Sequence, residues 1–166
     1  YAELRRDAIA AAHRLIARGI APGARVALIA ETGAEFVALF FGALYARIWP
    51  VPLPLPTSFG GKEAYIDQLA VQLKSADPAL LIYPPELQMA GTAAEASGVA
   101  GVDWGSFFAE TAAPVPLPEP KAGDIAYLQY SSGSTRFPHG VVITHHALLS
   151  NLAAHADSMH IGPGDR

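Results

Sequence analysis

Cysteine is absent from this chain of 166 residues, and charged residues are scarce. Without cysteine there is neither a disulfide framework nor a cysteine-ligated zinc site, and the pattern is typical of a reducing compartment, so we expect a cytoplasmic protein. Charged residues make up 16% of the chain and the formal net charge is −4 at pH 7, which leaves no basic stripe for binding nucleic acid. The longest apolar run, residues 36–46, is too short to span a bilayer, and no signal segment opens the chain. We therefore expect no nucleic-acid partner and no transmembrane segment.

Helical and strand-like patterns alternate along the chain. Residues 1–18 place apolar side chains at helical spacing, whereas residues 25–30 form a short apolar run suited to a buried strand. This alternation continues through the chain and predicts an α/β fold, with a mainly parallel sheet and flanking helices. Further helices are predicted over 34–48, 62–76, 85–97, 104–110 and from near His145, and further strands over 79–83, 99–102, 125–130 and 140–144.

Two proline-rich stretches interrupt this pattern. Residues 49–56 carry a proline at every second position, which excludes a helix or a central strand and predicts an extended segment. Its apolar residues favour a covered connection over an exposed linker or partner-binding segment. Residues 113–120 are also proline-rich, and we expect them to form an exposed segment that crosses from one part of the fold to the next. We therefore divide the chain into an opening α/β part (1–112), a proline-rich crossing segment (113–122) and a strand–loop–strand–helix unit (123–166).

The loop between the last two predicted strands concentrates groups that bind phosphate. Backbone N–H groups and hydroxyls suit phosphate oxygens, and a glycine lets the backbone approach them closely. The loop is not a Walker A motif, because its glycines are seven positions apart and a strand follows them. A polar hairpin loop is the structural alternative. The candidate residues are Ser131, Ser132, Gly133, Ser134, Thr135 and Gly140, with Arg136 adding a planar cationic donor.

This loop resembles the phosphate-binding motif of the adenylate-forming superfamily, which includes acyl-CoA synthetases, peptide adenylation domains and fatty acyl-AMP ligases. The variant Ser-Ser-Gly-Ser-Thr-Arg-Phe-Pro is most similar to the fatty acyl-AMP ligases. Residues 1–90 also resemble the opening subdomain of these enzymes. The residues in register are Tyr130, Ser132, Gly133, Ser134, Thr135, Pro138, Gly140, Val141, Thr144 and His145.

The resemblance implies an ATP-dependent enzyme that converts a carboxylic acid, expected to be a fatty acid, to an acyl-adenylate and releases pyrophosphate. The seven candidate residues would then hold the β- and γ-phosphates of ATP, with Mg²⁺ as its companion. An acyl carrier protein would accept the acyl group in the ligase branch, and coenzyme A in the synthetase branch. The family's adenine, ribose, magnesium and C-terminal lysine positions would lie beyond Arg166. The chain is therefore expected to be the N-terminal part of the large domain of such an enzyme, and to be inactive alone.

The loop departs from the superfamily pattern at two positions. Arg136 stands where most members have glycine, and His139 stands where most have lysine. Histidine is mostly neutral at neutral pH, so Arg136 would have to supply the charge that lysine provides elsewhere. A catalytically silent nucleotide-binding module is the alternative that these departures leave open.

Other chemistry-bearing residues have simpler interpretations. Five of the six histidines lie between His139 and His160, but their spacing does not match a metal site. Thr144 is predicted to cap the last helix, whose N-terminus could also help orient the phosphate loop. Glu31 and Glu35 surround a predicted helix start, where acidic side chains are favoured for structural reasons.

Overall fold

The computed structural model describes residues 1–56, 61–130, 140–162 and 164, and within them helices and strands follow the predicted order. The elements are α1 (Ala2–Ala17), β1 (Arg25–Ile29), α2 (Ala34–Tyr45), β2 (Trp49–Leu53), α3 (Gly61–Ala76), β3 (Leu80–Tyr83), α4 (Gln88–Ala96), β4 (Gly101–Asp103), α5 (Trp104–Ala109), β5 (Ile125–Tyr130), β6 (Gly140–Thr144) and α6 (His145–Ser158).

The first four strands form a parallel sheet in the order β2–β1–β3–β4. From β1 the chain passes through α2 to β2 on one side, and then returns through α3 to β3 on the other side of β1. The strand order therefore switches direction between β1 and β3, a place where parallel sheets commonly open a crevice. The predicted α/β fold with a mainly parallel sheet is confirmed.

Helices cover both faces of this sheet. Val26 and Leu28 on β1 pack in a core cluster with α1, α2 and α5, whereas Ala27 and Ile29 pack in a second cluster with α3 and α4. All four side chains are buried. Burial on both faces explains why β1 reads as a continuous apolar run rather than as an alternating pattern.

The proline-rich segment enters the parallel sheet as β2, at one edge of its four described strands. Trp49 donates its N–H to the carbonyl of Ala24. The backbone N–H and C=O groups of the odd-numbered residues of β2 therefore point towards β1. Pro50 and Pro52 occupy the alternate positions, where a missing N–H removes no hydrogen bond to β1. Val51, between them, is completely buried. The predicted extended and covered segment is thus confirmed for residues 49–53, at a sheet edge as proline requires, whereas Leu55 beyond the strand is 38% exposed.

Two helix boundaries differ from the prediction by three residues. The helix predicted over 34–48 ends at Tyr45, because Arg47 adopts a left-handed backbone with φ of 55° before the chain enters β2. The helix predicted over 85–97 begins only at Gln88, because the residues before it form a hydrogen-bonded turn. Both differences lie at chain reversals, where the hydrophobic period carries little information.

The last unit of the chain contacts the rest mainly through β5. No residue of α6 is buried, and Leu149 and Leu152 are both more than half exposed. Val141 and Val142 on β6 are also about half exposed. β5, by contrast, lies against β2 and buries Ala126. Across the described ranges, every helix is too short or too polar to cross a membrane.

Candidate phosphate-binding site

β5 and β6 frame the predicted phosphate loop. They pair antiparallel, with Tyr130 opposite Gly140 and Leu128 opposite Val142. The loop therefore leaves and re-enters a two-stranded ribbon at neighbouring positions, a geometry that fits both the phosphate-loop prediction and the polar-hairpin alternative. Among the seven predicted phosphate-binding residues, the structure describes Gly140. The other six lie outside the described ranges, as does His139; they are Ser131, Ser132, Gly133, Ser134, Thr135 and Arg136.

Gly140 closes the ribbon beside the ring of Tyr130. A Cβ atom built on Gly140 would lie 3.4 Å from Cζ of Tyr130, at the close end of van der Waals contact. The φ angle of Gly140 is outside the left-handed region, so the backbone here does not itself require glycine. The absence of a side chain instead leaves room at the mouth of the loop. A role for Gly140 in phosphate binding stays a prediction.

An ion pair holds the start of β5. Arg47 lies 2.9 Å from the carboxylate of Asp124, which also accepts the backbone N–H of Lys121 at 2.7 Å. The Lys121 N–H, and next the Arg47 guanidinium, lower the pKa of Asp124 below its usual range. The carboxylate is therefore charged at neutral pH, and it joins the end of α2 to the strand that leads into the loop.

One ring contact and one hydrogen bond hold the rest of β5. The ring of Tyr127 meets Phe40 of α2 edge to face, with centroids 5.5 Å apart. The hydroxyl of Tyr130 donates a hydrogen bond of 3.0 Å to Oγ of Ser75, near the end of α3. Sequence reasoning missed Ser75, because a serine on the exposed side of a helix gives no signal that it meets a residue 55 positions away.

Thr144 caps α6, as predicted. Its Oγ1 accepts the backbone N–H of Ala147 at 3.1 Å, which satisfies one of the free donors at the helix start. His145 donates its N–H to the carbonyl of Asp124, so the beginning of α6 is also tied to the beginning of β5. The orienting influence of this N-terminus on the phosphate loop stays a prediction.

Several carboxylates gather at the carboxyl ends of β1 and β3. Glu31, Glu35 and Glu86 line a crevice of about 240 Å³ together with Trp104. Glu35 lies in the first turn of α2, where the helix dipole favours a negative charge. Within the described part of the chain, no group of three or more histidine or acidic residues could hold a metal ion. The structural role of Glu31 and Glu35 at the start of α2 stays a prediction.

Related proteins align with all or most of this chain. A putative acyl-CoA synthetase of Caulobacter vibrioides is 41% identical over 169 residues, which cover 100% of this chain and 29% of that protein. A long-chain-fatty-acid–AMP ligase of Mycobacterium marinum is 32% identical over 141 residues, covering 79% of this chain and 23% of that protein. The chain thus spans less than a third of the length of these relatives.

Solved structures share the fold. A structure from studies of the fatty acyl-adenylate ligases of E. coli and L. pneumophila aligns with a TM-score of 0.90 at 41% identity, covering 98% of this chain and 30% of that chain. A fatty acyl-adenylate ligase of L. pneumophila, in complex with acyl adenylate and pyrophosphate, aligns with a TM-score of 0.81 at 29% identity, covering 98% and 28%. The family described as AMP-binding enzyme matches residues 1–166. The chain therefore belongs to the AMP-binding enzyme family of adenylate-forming proteins.

Proposed function

We propose that the gene product containing this chain uses ATP to activate a fatty acid as acyl-adenylate, with release of pyrophosphate. One observation carries the proposal: a hydroxyl-rich loop of the adenylate-forming type connects β5 to β6 in a chain that matches AMP-binding enzymes throughout. The similar L. pneumophila ligase, which was solved with acyl adenylate and pyrophosphate, supports the same chemistry.

The proposed reaction needs positioning more than covalent participation by the protein. A carboxylate oxygen of the acid attacks the α-phosphorus of ATP, and the bond from that phosphorus to the pyrophosphate oxygen breaks. Acyl-AMP and pyrophosphate are the two products. The protein would accelerate this step by aligning the reactants and offsetting phosphate charge. The residues assigned to the β- and γ-phosphates are Ser131, Ser132, Gly133, Ser134, Thr135 and Gly140, with Arg136 supplying positive charge.

The donor set of the loop suits phosphate rather than a metal ion. Hydroxyls, backbone N–H groups and a guanidinium all donate hydrogen bonds, whereas Mg²⁺ prefers carboxylate and phosphate oxygens. Mg²⁺ would therefore arrive with ATP and reduce the charge of its phosphates. The part played by this chain is to hold the phosphate oxygens. A chain that supplies the phosphate loop without the remainder of the enzyme is expected to be inactive by itself.

We assign the phosphopantetheine arm of a carrier protein as the acyl acceptor. The Ser-Ser-Gly-Ser-Thr-Arg-Phe-Pro variant of the loop and the similarity to fatty acyl-AMP ligases support this assignment. Coenzyme A is the alternative acceptor, and the Caulobacter relative named as a putative acyl-CoA synthetase favours it. Both acceptors present a thiol to the same adenylate, so they share the first half of the reaction.

Product analysis of the full-length gene product separates the two acceptors. The protein is incubated with ATP, Mg²⁺ and a labelled medium-chain fatty acid, with and without coenzyme A. Acyl-adenylate that accumulates and is not converted by coenzyme A supports transfer to a carrier protein. Acyl-CoA as the product moves the protein to the synthetase branch, and a lack of adenylate with any acid contradicts the proposed function.

A catalytically silent nucleotide-binding module is the second candidate, and His139 favours it. A lysine at this position would carry a full positive charge at neutral pH, which histidine does not. The His139→Lys variant of the full-length gene product tests this point. Acyl-adenylate that forms only in the variant would show that the native loop is defective. Comparable activity in both proteins would show that Arg136 and the rest of the site suffice.

A further inference from the structure

Tyr130 is the last described residue before the predicted phosphate loop, and its side chain is held from outside the β5–β6 ribbon. Its hydroxyl donates to Oγ of Ser75 at 3.0 Å, and Ser75 lies on α3, which packs against one face of the four-stranded sheet. The ring packs against the core cluster between the sheet and α3. Tyr130 therefore ties the point where the chain enters the loop to the larger sheet.

The same ring also touches the point where the chain leaves the loop. Gly140 pairs with Tyr130 across the ribbon, and a Cβ atom built on it would lie 3.4 Å from Cζ and 3.6 Å from the hydroxyl oxygen of Tyr130. A shift of the ring would therefore displace both ends of the loop.

The other contacts of β5 lie further from the loop. The Arg47–Asp124 ion pair holds the opposite end of the strand. Six residues of extended chain place it about 20 Å from Tyr130. The Tyr127–Phe40 ring contact holds the middle of the strand. In the described part of β5, the Tyr130 hydroxyl makes the side-chain hydrogen bond nearest to the loop.

We propose that Tyr130 is a positioning residue, whose hydrogen bond to Ser75 fixes the two described ends of the phosphate-loop connection, Tyr130 and Gly140, relative to the sheet. This inference rests on the proposed function. A phosphate cradle lowers the barrier only when its donors meet the phosphate oxygens in the required geometry, and small misplacements are costly. Loss of the tether would therefore weaken ATP use while leaving fatty-acid binding unchanged.

Steady-state kinetics of pyrophosphate exchange in the full-length gene product test the tether. Tyr130→Phe removes the hydroxyl and keeps the ring, so KM for ATP is expected to rise about three- to tenfold, the usual range for one hydrogen bond. The KM for the fatty acid should not change. Ser75→Ala should give the same increase in KM for ATP, whereas Ser75→Thr, which keeps the hydroxyl, should leave it at the native value. The double variant Tyr130→Phe with Ser75→Ala should raise KM no more than either single variant.

Tyr65→Phe is the matched control. The hydroxyl of Tyr65 donates to the carbonyl of Pro54 at 3.2 Å, and its ring lies in the same core cluster. Burial raises the pKa of Tyr65 to about 12, so the Tyr65 hydroxyl stays protonated at neutral pH. Its removal is expected to lower the melting temperature without changing KM for ATP.

The outcomes separate this inference from the proposed function. Native protein that catalyses no exchange contradicts both. Active native protein with an unchanged KM for ATP in Tyr130→Phe contradicts the positioning role alone. Equal increases in Tyr130→Phe and Tyr65→Phe also contradict it, because they would indicate a general loss of packing. An increase confined to the Tyr130 and Ser75→Ala variants supports it.

Discussion

Replacing Gly42 by alanine should force α1 and α2 apart. A Cβ atom on Gly42 would lie 2.7 Å from Cβ of Ala11 and 2.8 Å from the carbonyl oxygen of Ala8. Carbon atoms in contact prefer about 3.5–4.0 Å, so the two helices would have to separate by about 1 Å. The backbone N of Ala12 would also lie only 3.1 Å from the added Cβ atom, and backbone atoms cannot rotate aside as a side chain can.

The expected cost follows from two opposing effects. Overpacking a buried contact costs about 1–3 kcal/mol, and contact with backbone atoms favours the upper part of that range. Alanine is about 1 kcal/mol better than glycine inside a helix, which offsets part of the loss. The net destabilisation should therefore be about 1–2 kcal/mol, centred on α1 and α2.

Amide hydrogen exchange of the full-length gene product measures this effect where it occurs, since a long polypeptide need not unfold in a single step. Gly123→Ala is the matched control, because a Cβ atom there meets nothing within 4 Å. Gly42→Ala should lower protection in both helices, and Gly123→Ala should not. Native protection of α1 and α2 in Gly42→Ala would refute the packing argument.

Three further predictions concern the ends of elements and the loop. Thr144→Ala removes the cap of α6 and should destabilise that helix by about 1 kcal/mol, seen as faster exchange of its amides, whereas Thr144→Ser should not. Hydrogen bonds from the Ser106 hydroxyl and N–H lower the pKa of Asp103, so its stabilising effect is complete above about pH 4 and is lost as the pH falls through the lowered value. Asp103→Asn should therefore show a smaller loss of stability on acidification than the native protein, and an identical acid titration would contradict this. Arg136→Ala should raise KM for ATP by about 10- to 100-fold if the guanidinium donates to phosphate, with Arg5→Ala, on exposed α1 surface, unchanged.

The sequence predicts the elements well where one physical signal dominates. β1 is covered on both faces, so its apolar run identifies it directly. Thr144 has a hydroxyl immediately before a helical pattern, and it caps α6 as expected. The prolines of β2 exclude a central position because they lack N–H groups, and the strand lies at an edge.

The sequence pattern does not predict contacts between residues that are far apart along the chain. Arg14 donates to the carbonyls of Phe108 and Glu110, more than 90 positions away, although nothing in the pattern of α1 marks it. Ser75 likewise reads as an ordinary exposed helix residue. Arg47 adopts a left-handed conformation that usually belongs to glycine or asparagine. The sequence pattern therefore predicts the end of α2 three residues too late.

The loop itself was found through hydroxyl content and resemblance rather than through periodicity. The strands on either side of it pair antiparallel, which fits both the phosphate loop and the polar hairpin, and Gly140 is the first residue of β6. The assignments of Ser132, Arg136 and their neighbours to phosphate stay predictions, to be tested by kinetics.

Fatty-acid-dependent exchange of labelled pyrophosphate into ATP tests the central claim most directly. The full-length gene product is incubated with ATP, Mg²⁺ and labelled pyrophosphate, with and without a fatty acid. The proposed reaction predicts label in ATP only when the acid is present, because reversal of acyl-adenylate formation is the route by which pyrophosphate re-enters ATP. Folded protein that catalyses no exchange with fatty acids of any chain length would contradict acid activation.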